Sequence, residues 1–144
     1  KEDGKILIEE FVEGQEVECA VLGNETPQAS MVGEILTSAD FYDYEDKYKS
    51  GTSRTDIPAH LPGETMEIIR SIAVHAYRAL GCSGLSRVDF FVRKSDGAVL
   101  LNELNTLPGF TSISMYPKLW EASGLAYPDL LDQLIRLALE PQQE

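Results

Sequence analysis

Three apolar-rich runs open the chain: ILIEEFV over 6–12, QEVECAVL over 15–22 and VGEILTS over 32–38. Their β-branched and aromatic content, separated by Glu13-Gly14 and by Gly23-Asn24-Glu25-Thr26-Pro27, predicts antiparallel strands. From Tyr42 to Pro58 no period is sustained. A stretch of that length predicts a flap, with residues 43–57 expected to be mobile because they offer no apolar face. After Leu61-Pro62-Gly63, the positions Met66, Ile69, Ile72, Ala73, Ala76, Tyr77 and Leu80 follow i, i+3, i+4 spacing, which predicts an amphipathic helix over 64–80 with Gly81 as its cap. Leu85 to Arg93 and Ala98 to Asn105 alternate as strands around Ser95-Asp96-Gly97, and helical spacing returns over 117–123 and 128–139. No internal repeat is visible.

The hairpin of SRVDFFVRK and AVLLNELNT sorts its side chains by parity, since residues facing each other across an antiparallel pair share one side of the sheet. Val88, Phe90, Val92, Leu100 and Leu104 make an apolar even set, while Arg87, Asp89, Glu103 and Asn105 are odd. A three-residue connection, Ser95-Asp96-Gly97 with Gly97 left-handed, keeps the sets apart; it sets Asp89 opposite Glu103 and Arg87 opposite Asn105. Facing carboxylates repel unless something positive lies between them. Asp89, Glu103 and Asn105 are hard oxygen donors that suit magnesium or manganese. A solvated acidic strand face neutralised by Arg87 and Arg93 explains the same residues equally well.

Charge and composition narrow the partners. The chain has 144 residues with a formal net charge of −12, which opposes attraction to nucleic acid or anionic membrane. No uncharged stretch reaches the roughly 20 apolar residues of a spanning helix, and the start of the chain lacks a signal-peptide pattern, so a cytoplasmic location is expected. One domain over 1–144 is expected from length. Cys19 and Cys82 lie in apolar patterns and read as reduced packing thiols. His60 and His75 read as structural or exposed residues, and Tyr116 and Trp120 as core anchors of the last helices. The Gly/Pro/Ser/Thr-rich segment from Thr106 to Ser114 is a connector whose main-chain N–H groups can also meet an anion.

GLSRVDFFV and LLNELNTLPGFTSISMYP, followed by KLWEASG, resemble the C-terminal half of the D-alanine-D-alanine ligases of the ATP-grasp superfamily. LIEEFVEGQEVECAVLGN is similar to that family's adenine-side hinge and FYDYEDKY to its mobile loop, in the same order, so the resemblance covers nearly the whole chain. It implies an α+β fold, the ATP-grasp C-terminal subdomain: a mostly antiparallel sheet with flanking helices, expected on one side. The parent would join two D-alanine molecules through an acyl phosphate, for peptidoglycan precursor synthesis, using ATP with Mg2+ or Mn2+ in the cytoplasm as a homodimer.

Carried over by motif, Glu9, Glu10, Val12 and Glu16 resemble the residues that hold adenine and ribose, and Lys47 the phosphate-facing lysine. Asp89, Glu103 and Asn105 resemble the metal ligands. Arg87 and the Gly109 N–H resemble the oxyanion donors, Tyr48 the residue closing over the acceptor, and Ser114 and Met115 the groups holding the second D-alanine's carboxylate. The Tyr48 and Met115 patterns favour D-alanine over D-lactate and D-serine as acceptor. The family's N-terminal domain and glycine-rich loop have no counterpart in these residues, so the missing N-terminal part is an expected partner and the fragment alone is expected to be inactive. The competing readings are a D-serine or D-lactate ligase and a non-catalytic metal- or partner-binding module.

Overall fold

In the run from Val17 to Leu22 both parities are apolar except at Glu18, so a strand here can bury both of its faces. The computed structural model, which describes residues 5–36, 54–111 and 113–140, makes this run the centre of the fold. The elements are β1 (Gly14–Leu22), β2 (Gln28–Leu36), β3 (Arg54–Asp56), α1 (Gly63–Ala79), β4 (Leu85–Arg93), β5 (Val99–Asn105), α2 (Met115–Ala122) and α3 (Tyr127–Leu139). The strands form one antiparallel sheet in the order β3-β2-β1-β4-β5.

Val17, Cys19 and Val21 point to one face and pack with Val32, Val88, Phe90 and Val92 under Ile69, Ala73 and Tyr77 of α1. Ala20 and Leu22 point to the other, against Met115, Tyr116, Leu119 and Trp120 of α2 and Leu130 of α3. Helices therefore flank both faces, not one as expected, because β1 is apolar at both parities and each face needs its own cover. Tyr116 and Trp120 anchor the second core as expected, the Tyr116 hydroxyl donating to the Val21 carbonyl at 2.9 Å.

The α1 boundaries fall within one residue of expectation, and Gly81 (φ 63°) caps the helix, its N–H on the Arg78 carbonyl. Three expectations are corrected. Residues 6–12 form no strand: Ile6, Leu7, Ile8 and Phe11 are exposed, and no ladder partner for them exists among the described residues. Residues 54–56, assigned to the flap, pair with β2, and Ile57 packs against the second core; residues 42–53 of that flap lie outside the described residues. The third correction concerns the turn between β4 and β5, where four residues, Lys94 to Gly97, connect the strands. There Arg93 N–H donates to Ala98 O, and Gly97 N–H to Arg93 O with Gly97 left-handed (φ 71°).

Candidate functional site

The four-residue turn alone would mix the faces of the hairpin. A bulge restores them: between Asp89 and Phe90 the register shifts, with Asn102 as the extra residue. Beyond it Asp89 faces Glu103 and Arg87 faces Asn105, the pairing expected from parity. On the turn side of the bulge the parity is reversed, so Val99, and not Leu100, joins the core beneath α1.

On its other edge β4 pairs with β1, where Glu18 is the partner of Asp89. Three carboxylates, Glu18, Asp89 and Glu103, thus lie in one row across β1, β4 and β5, on the face that α2 and α3 cover. Glu18 and Asp89 are buried and Glu103 is exposed. Arg87 offsets part of this charge. Its Nε and Nη2 donate to Oδ1 and Oδ2 of Asp89 at 2.8 and 2.7 Å, and Nε lies 3.1 Å from Glu18 Oε2. Held by the Asp89 hydrogen bonds and by the charges of Glu18, Asp89 and Glu103, against the opposing effect of burial, the guanidinium sits well above its ordinary pKa. Arg87 therefore pairs with the acidic face, as one reading of the sequence expected of it.

Glu18 escaped the sequence reading. Its signal was a single carboxylate inside an apolar strand, costly to bury without a cation at hand.

Asn105 ends β5, and its Oδ1 accepts the Leu107 N–H at 3.0 Å, fixing where the following loop departs. Farther along, the Ser114 hydroxyl accepts the Thr111 N–H at 2.9 Å, and the Ser114 N–H closes back on Thr111 O. These bonds use the Leu107, Thr111 and Ser114 N–H groups within the loop. A Cβ on Gly109 would stand 3.0 Å from Ser114 Oγ, so the backbone of Gly109 and the hydroxyl of Ser114 are neighbours. Ser114 precedes α2 in extended conformation and Met115 begins the helix, buried against Gly33 of β2. The N–H groups of a first helical turn have no intrahelical acceptor and suit a carboxylate.

Glu16 lies on the same sheet face as Glu18 and is half-buried. Glu9 and Glu10 are exposed in the irregular lead-in; Glu10 and Val12 line a groove of about 320 Å³ with Arg93, Lys94 and Ser95. Glu13 O accepts the Lys94 N–H, tying that lead-in to the hairpin. Lys47 and Tyr48 lie outside the described residues. Cys19 is buried and Cys82 partly so, both as thiols.

A family model described as "D-ala D-ala ligase C-terminus" matches residues 1–136. The chain belongs to the D-Ala-D-Ala ligase family, as its C-terminal part. A D-alanine-D-alanine ligase of Acetivibrio thermocellus is 62% identical over 96% of this chain and 37% of its own length; one of Ruminiclostridium cellulolyticum is 58% identical over 100% and 39%. The chain therefore spans well under half of these ligases. Among solved structures it resembles the D-alanine-D-alanine ligase of Coxiella burnetii (48% identity, TM-score 0.76, 90% of this chain and 33% of that one). The VanG D-Ala:D-Ser ligase of Enterococcus faecalis is similar too (45%, 0.79, 90% and 38%). So is a Bacillus anthracis D-alanine-D-alanine ligase complexed with ATP (30%, 0.72, 90% and 39%). The ATP-grasp assignment and its antiparallel sheet with flanking helices agree with these D-Ala-D-Ala ligase folds.

The donor set fits a hard divalent cation. Two facing carboxylates and a nearby amide oxygen are what magnesium takes from protein when phosphates and water complete its shell. Each Asp89 oxygen keeps a lone pair beyond its bond to Arg87. Among the described residues no group of three or more His, Cys, Asp and Glu side chains is placed to hold a metal, so a cation here would depend on Asn105 and on the substrate. No helix among them is long and apolar enough to cross a membrane.

Proposed function

We propose that this chain is the C-terminal part of an ATP-dependent ligase that makes D-alanyl-D-alanine through an acyl phosphate. The observation that carries the reading is the bulge-corrected register, which sets Asp89 opposite Glu103 and Arg87 opposite Asn105 beside the loop holding Gly109 and Ser114. Asp89, Glu103 and Asn105 would hold Mg2+ or Mn2+, which when bound neutralises phosphate charge. Glu9, Glu10, Val12 and Glu16 bind the adenosine end of ATP, and Lys47 faces its phosphates.

The carboxylate of one D-alanine takes the γ-phosphoryl group, releasing ADP. The amine of a second then attacks the acyl carbon and expels phosphate. Arg87 and the Gly109 N–H stabilise the tetrahedral oxyanion, the largest single contribution such donors make in acyl transfer. Arg87 suits this role because its partners keep it charged and fixed before the reaction begins. Ser114 and the Met115 N–H receive the acceptor's carboxylate, and Tyr48 covers the site against water. The rest of the ligase, preceding these residues, completes the site, and the whole enzyme works as a homodimer in the cytoplasm.

D-Alanine is the proposed acceptor. Its amine must lose a proton, and a neutral Tyr48 phenol does not repel the incoming ammonium as a protonated His would. The likeness to VanG makes D-serine the second reading. Initial rates of the full-length protein with ATP and D-alanine, D-serine or D-lactate from pH 6 to 9 test this. D-Alanyl-D-alanine with equimolar ADP is expected. Dominant ester or D-alanyl-D-serine formation overturns the acceptor assignment, and no ADP-coupled product with any acceptor leaves the binding-module reading.

A further inference from the structure

On the sheet face opposite the Asp89 row, a third carboxylate is buried. Glu34 of β2 is 5% exposed. Its Oε1 accepts Gln15 Nε2 at 2.8 Å; its Oε2 accepts the His60 backbone N–H at 3.1 Å and meets His60 Nδ1 at 3.2 Å. The Gln15 amide also reaches the His60 carbonyl at 3.3 Å. Asp56, the β3 partner of Glu34, brings its Oδ2 within 3.7 Å of the same imidazole nitrogen. One carboxylate thus ties together the start of β1, the end of β2 and the turn after β3.

Such a tie is not the cheapest way to fill the space. A buried carboxylate is unfavourable until its partners offset its lost hydration, and well-packed apolar side chains of similar volume often stabilise as well or better. What a directional network adds is geometry. Gln15 is adjacent to Glu16, so the bond that fixes Gln15 also fixes the backbone presenting Glu16 on the other face. Glu34 lies two residues before the end of β2, and Asp56 two residues after the start of β3.

We propose that Glu34 is a positioning residue for the nucleotide: held by His60, it fixes Gln15 and through it sets the place of Glu16. This rests on the ATP-dependent reading above. Removal of the network should weaken nucleotide binding while leaving the acceptor side intact, because the acceptor groups Gly109, Ser114 and Met115 make none of these bonds.

The test uses the full-length protein. Glu34→Leu is expected to raise KM for ATP, and the dissociation constant for ADP measured calorimetrically with Mg2+, at least tenfold. Both kcat at saturating ATP and KM for D-alanine should stay within twofold. Glu34→Gln, whose single amide oxygen can keep one of the two bonds, to Gln15 Nε2 or to the His60 N–H, should recover ATP affinity in part, to at least threefold better than Glu34→Leu. Gln15→Leu leaves the Glu34 and His60 contact in place and serves if Glu34→Leu fails to fold; a three- to tenfold rise in KM for ATP is expected. The proposal is overturned if Gln15→Leu leaves nucleotide affinity unchanged, or if Glu34→Leu lowers every parameter in step with its melting temperature and Glu34→Gln gives no recovery. ADP binding that weakens as expected in a protein making no D-alanyl-D-alanine would uphold the positioning role and overturn the ligase reading alone.

Discussion

Asp89 and Glu103 face each other across β4 and β5, yet they live in different surroundings: Asp89 is buried with both oxygens on Arg87, while Glu103 is exposed. The like-charge repulsion expected from their pairing is therefore already answered on one side by a guanidinium.

That asymmetry predicts unequal effects of neutralising the two. Asp89→Asn should destabilise the chain by about 1–3 kcal/mol, since it weakens charge-assisted bonds in a buried place. Glu103→Gln should shift stability by no more than about 0.5 kcal/mol, as exposed substitutions do. In the full-length protein each should lower turnover at least a hundredfold if both hold the metal. Chemical denaturation of the chain and steady-state kinetics of the parent check the two halves, and equal destabilisation would contradict the asymmetry.

Arg87→Lys keeps the charge and loses the planar fork that spans both Asp89 oxygens while lying against Glu18. A loss of about 1–3 kcal/mol in stability is expected, because buried carboxylate oxygens lose donors. A Lys variant as stable as the parent chain, measured by urea unfolding, would show that the fork adds nothing beyond its charge.

Gly33 sits where β2 passes under α2. A Cβ there would stand 2.9 Å from Leu119 Cδ2, 3.1 Å from Ile57 Cγ1 and 3.3 Å from Met115 Cε. Gly33→Ala should cost about 1–3 kcal/mol through overpacking. Because the displaced side chains include Met115 at the start of α2, KM for the acceptor in the parent should rise more than KM for ATP. Thermal melts and paired KM values check this.

Alkaline pH should unfold the chain through its buried acids. Burial pushes the Cys19 thiol from 9.0 up to about 12 and the Tyr77 phenol from 10.0 up to about 12, and it raises Tyr116 as well. These groups keep their protons when folded and lose them when unfolded, so the unfolded state binds fewer protons and stability falls as pH rises. The contribution is complete below pH 9 and is lost between about 9 and 12, at about 1.4 kcal/mol per pH unit for each group titrating only in the unfolded state. Melting temperatures from pH 8 to 11 should fall, and Cys19→Ala should flatten the slope. An identical slope would remove Cys19 from the account.

Much of this molecule is legible from local pattern. The α1 helix, the β4 and β5 strands and the facing of Asp89 with Glu103 follow from periodicity and parity, because side-chain direction is fixed by backbone geometry within each element. The resemblance to the D-Ala-D-Ala ligases was equally legible in contiguous motifs. Parity reached the right pairing by a partly wrong route, since a four-residue turn and a bulge together gave the register assigned to a three-residue turn. Nothing in the local sequence marks Asn102 as the extra residue; the bulge is set by packing Val99 and Leu104 beneath α1 while Asp89 and Glu103 remain on the other face.

Beyond the Asp89 and Glu103 pair, the tertiary structure alone decided which carboxylates share a neighbourhood. Glu18 joins Asp89 because β1 inserts between β2 and β4, a strand order that no local period encodes. Glu34 meets Gln15 and His60 for the same reason: the three are separated by 19 and 26 residues in sequence and are joined only by the sheet and the turn that follows it. The lead-in over 6–12 failed in the opposite sense, having a strand's composition and, among the described residues, no strand beside it. Alternation determines the faces a segment offers, whereas hydrogen-bond partners and buried charge pairs arise only when distant segments meet.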